Sequence, residues 1–336
     1  MRHFPALLAG IALGGCAIGP DYVRPEVEPA AAYKEAGQWK PATPADELPR
    51  GNWWSIFGDS TLDGLMQSAQ VSNQSLRQAA AQYAAARALV QSARAAYFPT
   101  VKANASATRS RGASARFLSP GSSSAGSVST LYDASLDASW ELDLWGRLRR
   151  ATESARAQAA ASAADLAAAT LSVQAELAQD YYQLRVTDDE RAFLDEEIAG
   201  FQRSLTITQN QYAVGVAKRS DVLQAETQLK STQAQALDLD ITRAQLEHAI
   251  AVLVGRNPAN FSLARQPLAA VIPAIPPGLP SELLERRPDI SAAERRVMAA
   301  NAGIGVARAA FFPSLDLSGT LGYQSTSFGH LISAAN

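Results

Sequence analysis

Few side chains in this sequence are typed and spaced for chemistry. Cys16 is the only cysteine among 336 residues, and it closes the run Leu13-Gly14-Gly15-Cys16. A single thiol cannot form an internal disulfide, so it is either a free nucleophile or one already joined to another group. The three histidines, His3, His248 and His330, have no neighbouring nucleophile or carboxylate in a local catalytic motif. Asp188-Asp189-Glu190 and Asp195-Glu196-Glu197 could offer oxygens to a cation, but at helical spacing they read as a solvated face. Gly303-Ile304-Gly305 lacks the third glycine and the preceding strand of a nucleotide loop. No catalytic residue, metal site or cofactor is assigned, and the chain is not read as an enzyme. A formal net charge of −2 gives no reason to expect a nucleic acid partner.

The surroundings of the cysteine give it a role. Arg2 and His3 form a short positive region, and Phe4 to Leu13 form an apolar stretch too short to span a bilayer. Residues 1–15 therefore read as an export signal. The run ending at Cys16 resembles the bacterial lipobox, which implies a covalent lipid on that sulfur. Several acyl chains on one residue give lasting attachment, where one alone is marginal. Ala17 in place of an aspartate implies the outer membrane, by analogy with bacterial lipoproteins. No later apolar run approaches eighteen residues, so a membrane would have to be entered as β-strands.

Those strands are visible as alternation. Ala93-Arg94-Ala95-Ala96-Tyr97-Phe98-Pro99 returns as Ala307-Arg308-Ala309-Ala310-Phe311-Phe312-Pro313, offset by 214 residues, and each copy leads into a period-2 run. A helix that stops at proline and hands over to a strand, twice, predicts an internal duplication. The first strand covers about 99–110. A Ser- and Gly-rich loop follows over 111–130. In the second strand Ala134, Leu136, Ala138, Trp140 and Leu142 share one face, and Asp133, Ser135, Asp137, Ser139, Glu141 and Asp143 share the other. Acids facing lipid would be prohibitive, so the polar face must look onto water. Alternation alone suits a half-buried soluble sheet as well as it suits a tilted membrane barrel, and the lipobox and the long loop favour the barrel.

Helices carry the rest. Residues 16–58 read as an extended Pro- and Ala-rich segment ending in Trp53-Trp54-Ser55-Ile56-Phe57. Asp59 or Ser60 can cap a helix over 61–97. Arg147 to Tyr212 contains no breaker except Gly200 and predicts a helix of roughly 100 Å at 1.5 Å per residue. A turn over 213–219 with Gly215 ends it, and Ser220 can cap a return helix to Leu253. Residues 59–255 thus form a first repeat, with a β-hairpin at 99–143 and a helical hairpin at 147–254. Residues 256–287 are irregular, and 288–336 begin a second copy with a shorter helix and a third strand.

Taken together, the chain resembles the outer membrane factors of Gram-negative efflux and secretion systems, in their lipoprotein branch (the NodT and OprM type). The residues that carry this are the run to Cys16, Gly19-Pro20-Asp21-Tyr22, Trp53 to Phe57, Leu283 to Ile290, and the paired Phe-Pro junctions. The resemblance implies long antiparallel helical hairpins forming a periplasmic α-barrel. It also implies a homotrimer whose subunits give four strands each to one 12-stranded outer-membrane β-barrel. The implied function is a passive exit duct in a tripartite efflux system, fed by an inner-membrane pump through a periplasmic adaptor protein. The turn Tyr212 to Leu223 matches the family's first tip turn, which implies adaptor contact at Gly215, Lys218, Arg219, Ser220 and Asp221.

The family has a second long hairpin, and roughly 130 further residues would complete it if the repeat is faithful. The expectation is an N-terminal fragment, with no gating residue assigned. Alternatives are a channel for type I-like secretion, a non-functional truncated product, or a periplasmic adaptor lipoprotein. The duplicated helix-Pro-strand unit argues against the last.

Overall fold

In the computed structural model, residues 17–24, 51–111, 128–268 and 286–332 are described. The helices are α1 (Ser60–Ser72), α2 (Gln74–Ala95), α3 (Arg147–Ala213), α4 (Arg219–Leu253) and α5 (Pro288–Ala309), and the strands β1 (Thr100–Arg111), β2 (Val128–Leu142) and β3 (Leu315–Ser325). Among the described residues no helix is long and apolar enough to cross a membrane. The chain divides into two compact units. The described part of the strand-bearing unit is 17–24, 85–111, 128–159 and 295–332. The helical unit holds 51–84, 160–268 and 286–294.

The helical unit has an apolar core in which Trp54, Leu62, Met66, Leu177, Tyr181 and Ile250 are at most 2% exposed. Asp59 caps α1 with one carboxylate oxygen, which accepts from the Thr61 and Leu62 amides. Its other oxygen accepts from the Tyr181 hydroxyl on α3. Burial, then the Asp59 bond, raises the pKa of Tyr181, and burial pushes Tyr182 beside it up to about 12.

The sequence predicts one helix over 61–97, but the structure has two, divided at Asn73. This residue is extended (ψ 124°) and 4% exposed. Its Oδ1 accepts from the Leu76 amide and starts α2, while its Nδ2 donates to the Leu253 carbonyl at the end of α4. A buried side-chain amide that satisfies two helix ends outweighs continuity of the first helix. Gly255 closes α4 at φ +69° and approaches the break so nearly that a Cβ there would lie 2.4 Å from the Ser72 carbonyl oxygen.

In the strand-bearing unit β1, β2 and β3 form an antiparallel sheet in sequence order. The register pairs Val101 with Ala138 and Ala138 with Gly319, and it sets Lys102, Asp137 and Thr320 in one row. Every residue of β1 is exposed. Both copies of the repeated phrase are tied to the end of β2. The Trp140 indole donates to the Tyr97 carbonyl, and the Trp145 indole donates to the Pro313 carbonyl and stacks on Phe312 at 4.9 Å.

Candidate functional site

Over its central rows the sheet sorts its side chains by face. One face carries Lys102, Asn104, Ser106, Asp133, Ser135, Asp137, Glu141, Asp316 and Thr320 in register. Asp137 accepts from Asn104 on one side and from Thr320 (2.7 Å) on the other, so a single carboxylate links all three strands. Glu141 and Asp316 stand directly opposite each other, and Arg147 pairs with Glu141 and lowers that repulsion.

The other face begins at Leu142 and Leu315, runs through Trp140, Leu317, Ala138, Leu136, Leu321 and the alanines of β1, and ends in Tyr132 and Tyr323. From Leu142 to Tyr132 is ten steps. At about 3.3 Å per step and a barrel tilt near 40°, that is a band of roughly 25 Å, the height of the apolar belt of an outer-membrane barrel. Aromatic residues stand at both margins, as such belts require.

Cys16 itself lies outside the described residues, as do positions 25–50 of the extended segment expected over 16–58. The residues just after the cysteine are held in a fitted seat. The Ile18 amide donates to the Trp145 carbonyl (3.0 Å), Asn301 donates to the Pro20 carbonyl (3.0 Å), and Arg150 donates to Asp21 (2.7 Å) and the Gly19 carbonyl. Gly19 has φ +117°, and a Cβ on it would lie 2.5 Å from the Cα of Gly305. The pair Gly303-Ile304-Gly305, rejected as a nucleotide loop, thus has a packing use: Gly305 is the floor of the seat. An isolated glycine inside a helical pattern is the signal that could have pointed to it. Arg150, buried to 5% exposure, gave no such signal.

The turn between α3 and α4 is closed by backbone bonds. The Gly215 amide donates to the Tyr212 carbonyl and the Val216 amide to Gln211, a Schellman arrangement that needs the φ of +78° seen at Gly215. Lys218 stands at the N-cap, and its amide donates to Asp221, which reaches back from three residues on. Ser220, expected as the cap, lies inside the first turn instead and bonds Asp221. Gly215, Lys218, Arg219, Ser220 and Asp221 are thus brought into one turn. Val214 and Val216 beside Gly215 are 75% and 76% exposed.

One acidic residue departs from the expected solvated face. Asp188 is buried and pairs with Arg243 (2.7 Å) and Arg185 (3.3 Å). The same arginines donate to the Leu263 and Ala264 carbonyls, and Asp189 accepts from the Leu268 amide. The cluster thereby pins 263–268 onto the helical hairpin. Among the described residues no group of His, Cys, Asp and Glu is arranged to hold a metal ion.

Comparison with known proteins agrees with this geometry. The family model for outer membrane efflux proteins matches residues 65–256 and 279–335. The probable efflux pump outer membrane protein TtgC of Pseudomonas putida KT2440 is 35% identical over 324 residues, covering 96% of this chain and 66% of that protein. The chain therefore spans about two thirds of that relative's length. Among solved structures, the outer-membrane channel OprN superposes with a TM-score of 0.81 at 37% identity, over 95% of this chain and 70% of that one. The open-state MtrE outer membrane channel of Neisseria gonorrhoeae gives 0.75 at 34% identity, over 95% and 69%.

Proposed function

We propose a function from one premise: the chain belongs to the outer membrane efflux protein family. It is a subunit of an outer-membrane channel, a passive duct through which substrates delivered by an inner-membrane pump and a periplasmic adaptor leave the cell. The apolar face of the sheet, roughly 25 Å tall and margined by aromatics, carries this reading. That face lies against lipid and the acid-bearing face lines the exit. The three strands among the described residues leave open edges that lipid cannot satisfy, which supports closure with further copies, as in the trimer of the family.

The turn holding Gly215, Lys218, Arg219, Ser220 and Asp221 is the adaptor contact. Support comes from Val214 and Val216, exposed apolar side chains on a rigid turn with charges beside them. Cys16 carries the lipid, and the duct needs no ATP or cofactor of its own. The seat around Gly19 supports the anchor, because it fixes the chain three residues beyond the cysteine at the helix end of the sheet.

The test is ion conductance of the full-length gene product in planar bilayers. Discrete steps in conductance are expected, and a folded, membrane-inserted product without them would sink the duct. Loss of labelled palmitate from Cys16→Ser is the matching outcome for the anchor.

A further inference from the structure

The apolar face of the sheet does not stop at its aromatic margin on β1. Beyond the row of Ala107 and Tyr132, the same face continues to Arg109, opposite Thr130, and to Arg111, opposite Val128. Both arginines are exposed, and neither side chain has an ion pair or hydrogen bond among the described residues. The arginines at the other end of the sheet differ. Arg147 pairs with Glu141, Arg149 with Asp143 and Arg150 with Asp21. A guanidinium on a lipid-directed face costs little once it passes the apolar belt, and a planar fork of donors suits phosphate oxygens in particular.

We propose that Arg109 and Arg111 form a phosphate-binding site for a phosphorylated glycolipid of the outer leaflet, the lipid A part of lipopolysaccharide. The proposal rests on the membrane reading of the sheet. Strands β1 and β2 join the helices at Thr100 and Leu142, where the seat for residues 17–21 also lies, so that end faces the periplasm. Arg109 and Arg111 are nine and eleven residues further along β1, at the outer leaflet. Arg109 lies two residues past the Ala107–Tyr132 row, or about 5 Å of height at the same tilt, which is headgroup depth. Tyr132, which meets Phe328 edge to face at 5.6 Å, walls the acyl side of the site.

The experiment is native mass spectrometry of the full-length protein in detergent, with lipid A titrated in and phosphatidylglycerol as a separate arm. Arg109→Ala/Arg111→Ala should raise the lipid A needed for half-occupancy roughly tenfold for each guanidinium–phosphate bond removed. Arg109→Lys/Arg111→Lys keeps charge without the fork and should fall between. Equal binding by wild type and the alanine pair, with heat-resistant mobility unchanged, overturns the site. A shift of the same size for phosphatidylglycerol overturns the assignment to glycolipid. A fluorophore on Leu136→Cys, tested with brominated phosphatidylcholine, separates the two levels. Absence of quenching removes the membrane reading itself, and quenching with unchanged lipid A binding removes only the arginine site.

Discussion

The two units bury their side chains by different rules. In the helical unit Leu184 is 0% exposed and Asp188 is paired deep within the fold, so its chemistry is completed by its own chain. In the sheet Leu136 is 51% exposed, and no residue of β1 is buried at all. The helical unit therefore draws its stability from internal packing. The sheet has ladders and a sorted pair of faces, but Leu136, Leu317 and Leu321 stay exposed among the described residues, and such groups find their cover in lipid or in other copies.

Removing one charge from each unit should break this comparison most visibly. Arg243→Ala leaves Asp188, Glu247 and the Leu263 carbonyl short of a partner inside the fold, at a cost of about 3–5 kcal/mol. Arg147→Ala removes a side chain 41% exposed and should cost under about 1 kcal/mol. Urea titration followed by circular dichroism reads both, and equal losses would abolish the distinction.

An apolar pair sharpens it. Leu184→Ala should cost about 3 kcal/mol through a cavity, and Leu136→Ala under about 1 kcal/mol in detergent. A Leu136 effect as large as that at Leu184 would mean that the sheet has a core of its own.

An effect smaller than that of either buried substitution is expected at the turn, which belongs to the helical unit but holds its valines outward. Gly215→Ala must adopt φ +78°, at about 1 kcal/mol. Its thermal midpoint should fall only slightly, while adaptor binding, measured by pull-down, drops further than that strain alone requires. Unchanged binding would detach the turn from the adaptor.

The sheet was legible in sequence because period-2 alternation with acids on one face is a local signal, complete within fifteen residues of β2. The duplicated Phe-Pro junctions were legible for the same reason. The break at Asn73 was not, since helix formers continue on both sides and the deciding partner, Leu253, is 180 residues away. Asp188 looked solvated because Arg243, 55 residues on, cannot be matched to it by spacing. The turn between α3 and α4 was readable from Gly215, whereas its capping residue was misplaced by two positions. Local order is written locally, and burial of polar groups is decided between distant segments.

The close approach of Gly19 to Gly305 also sets an order of events in synthesis. The two glycines are 286 residues apart in the chain. At ribosomal speeds of about 5–20 residues per second, the floor of the seat emerges roughly a quarter of a minute to a minute after the segment it receives. If Cys16 is acylated as proposed, the enzyme that does so would meet a chain end with nowhere yet to dock. The tether comes first and the mooring second. On that proposal, a chain whose synthesis stopped before α5 would be left hanging by its lipid alone.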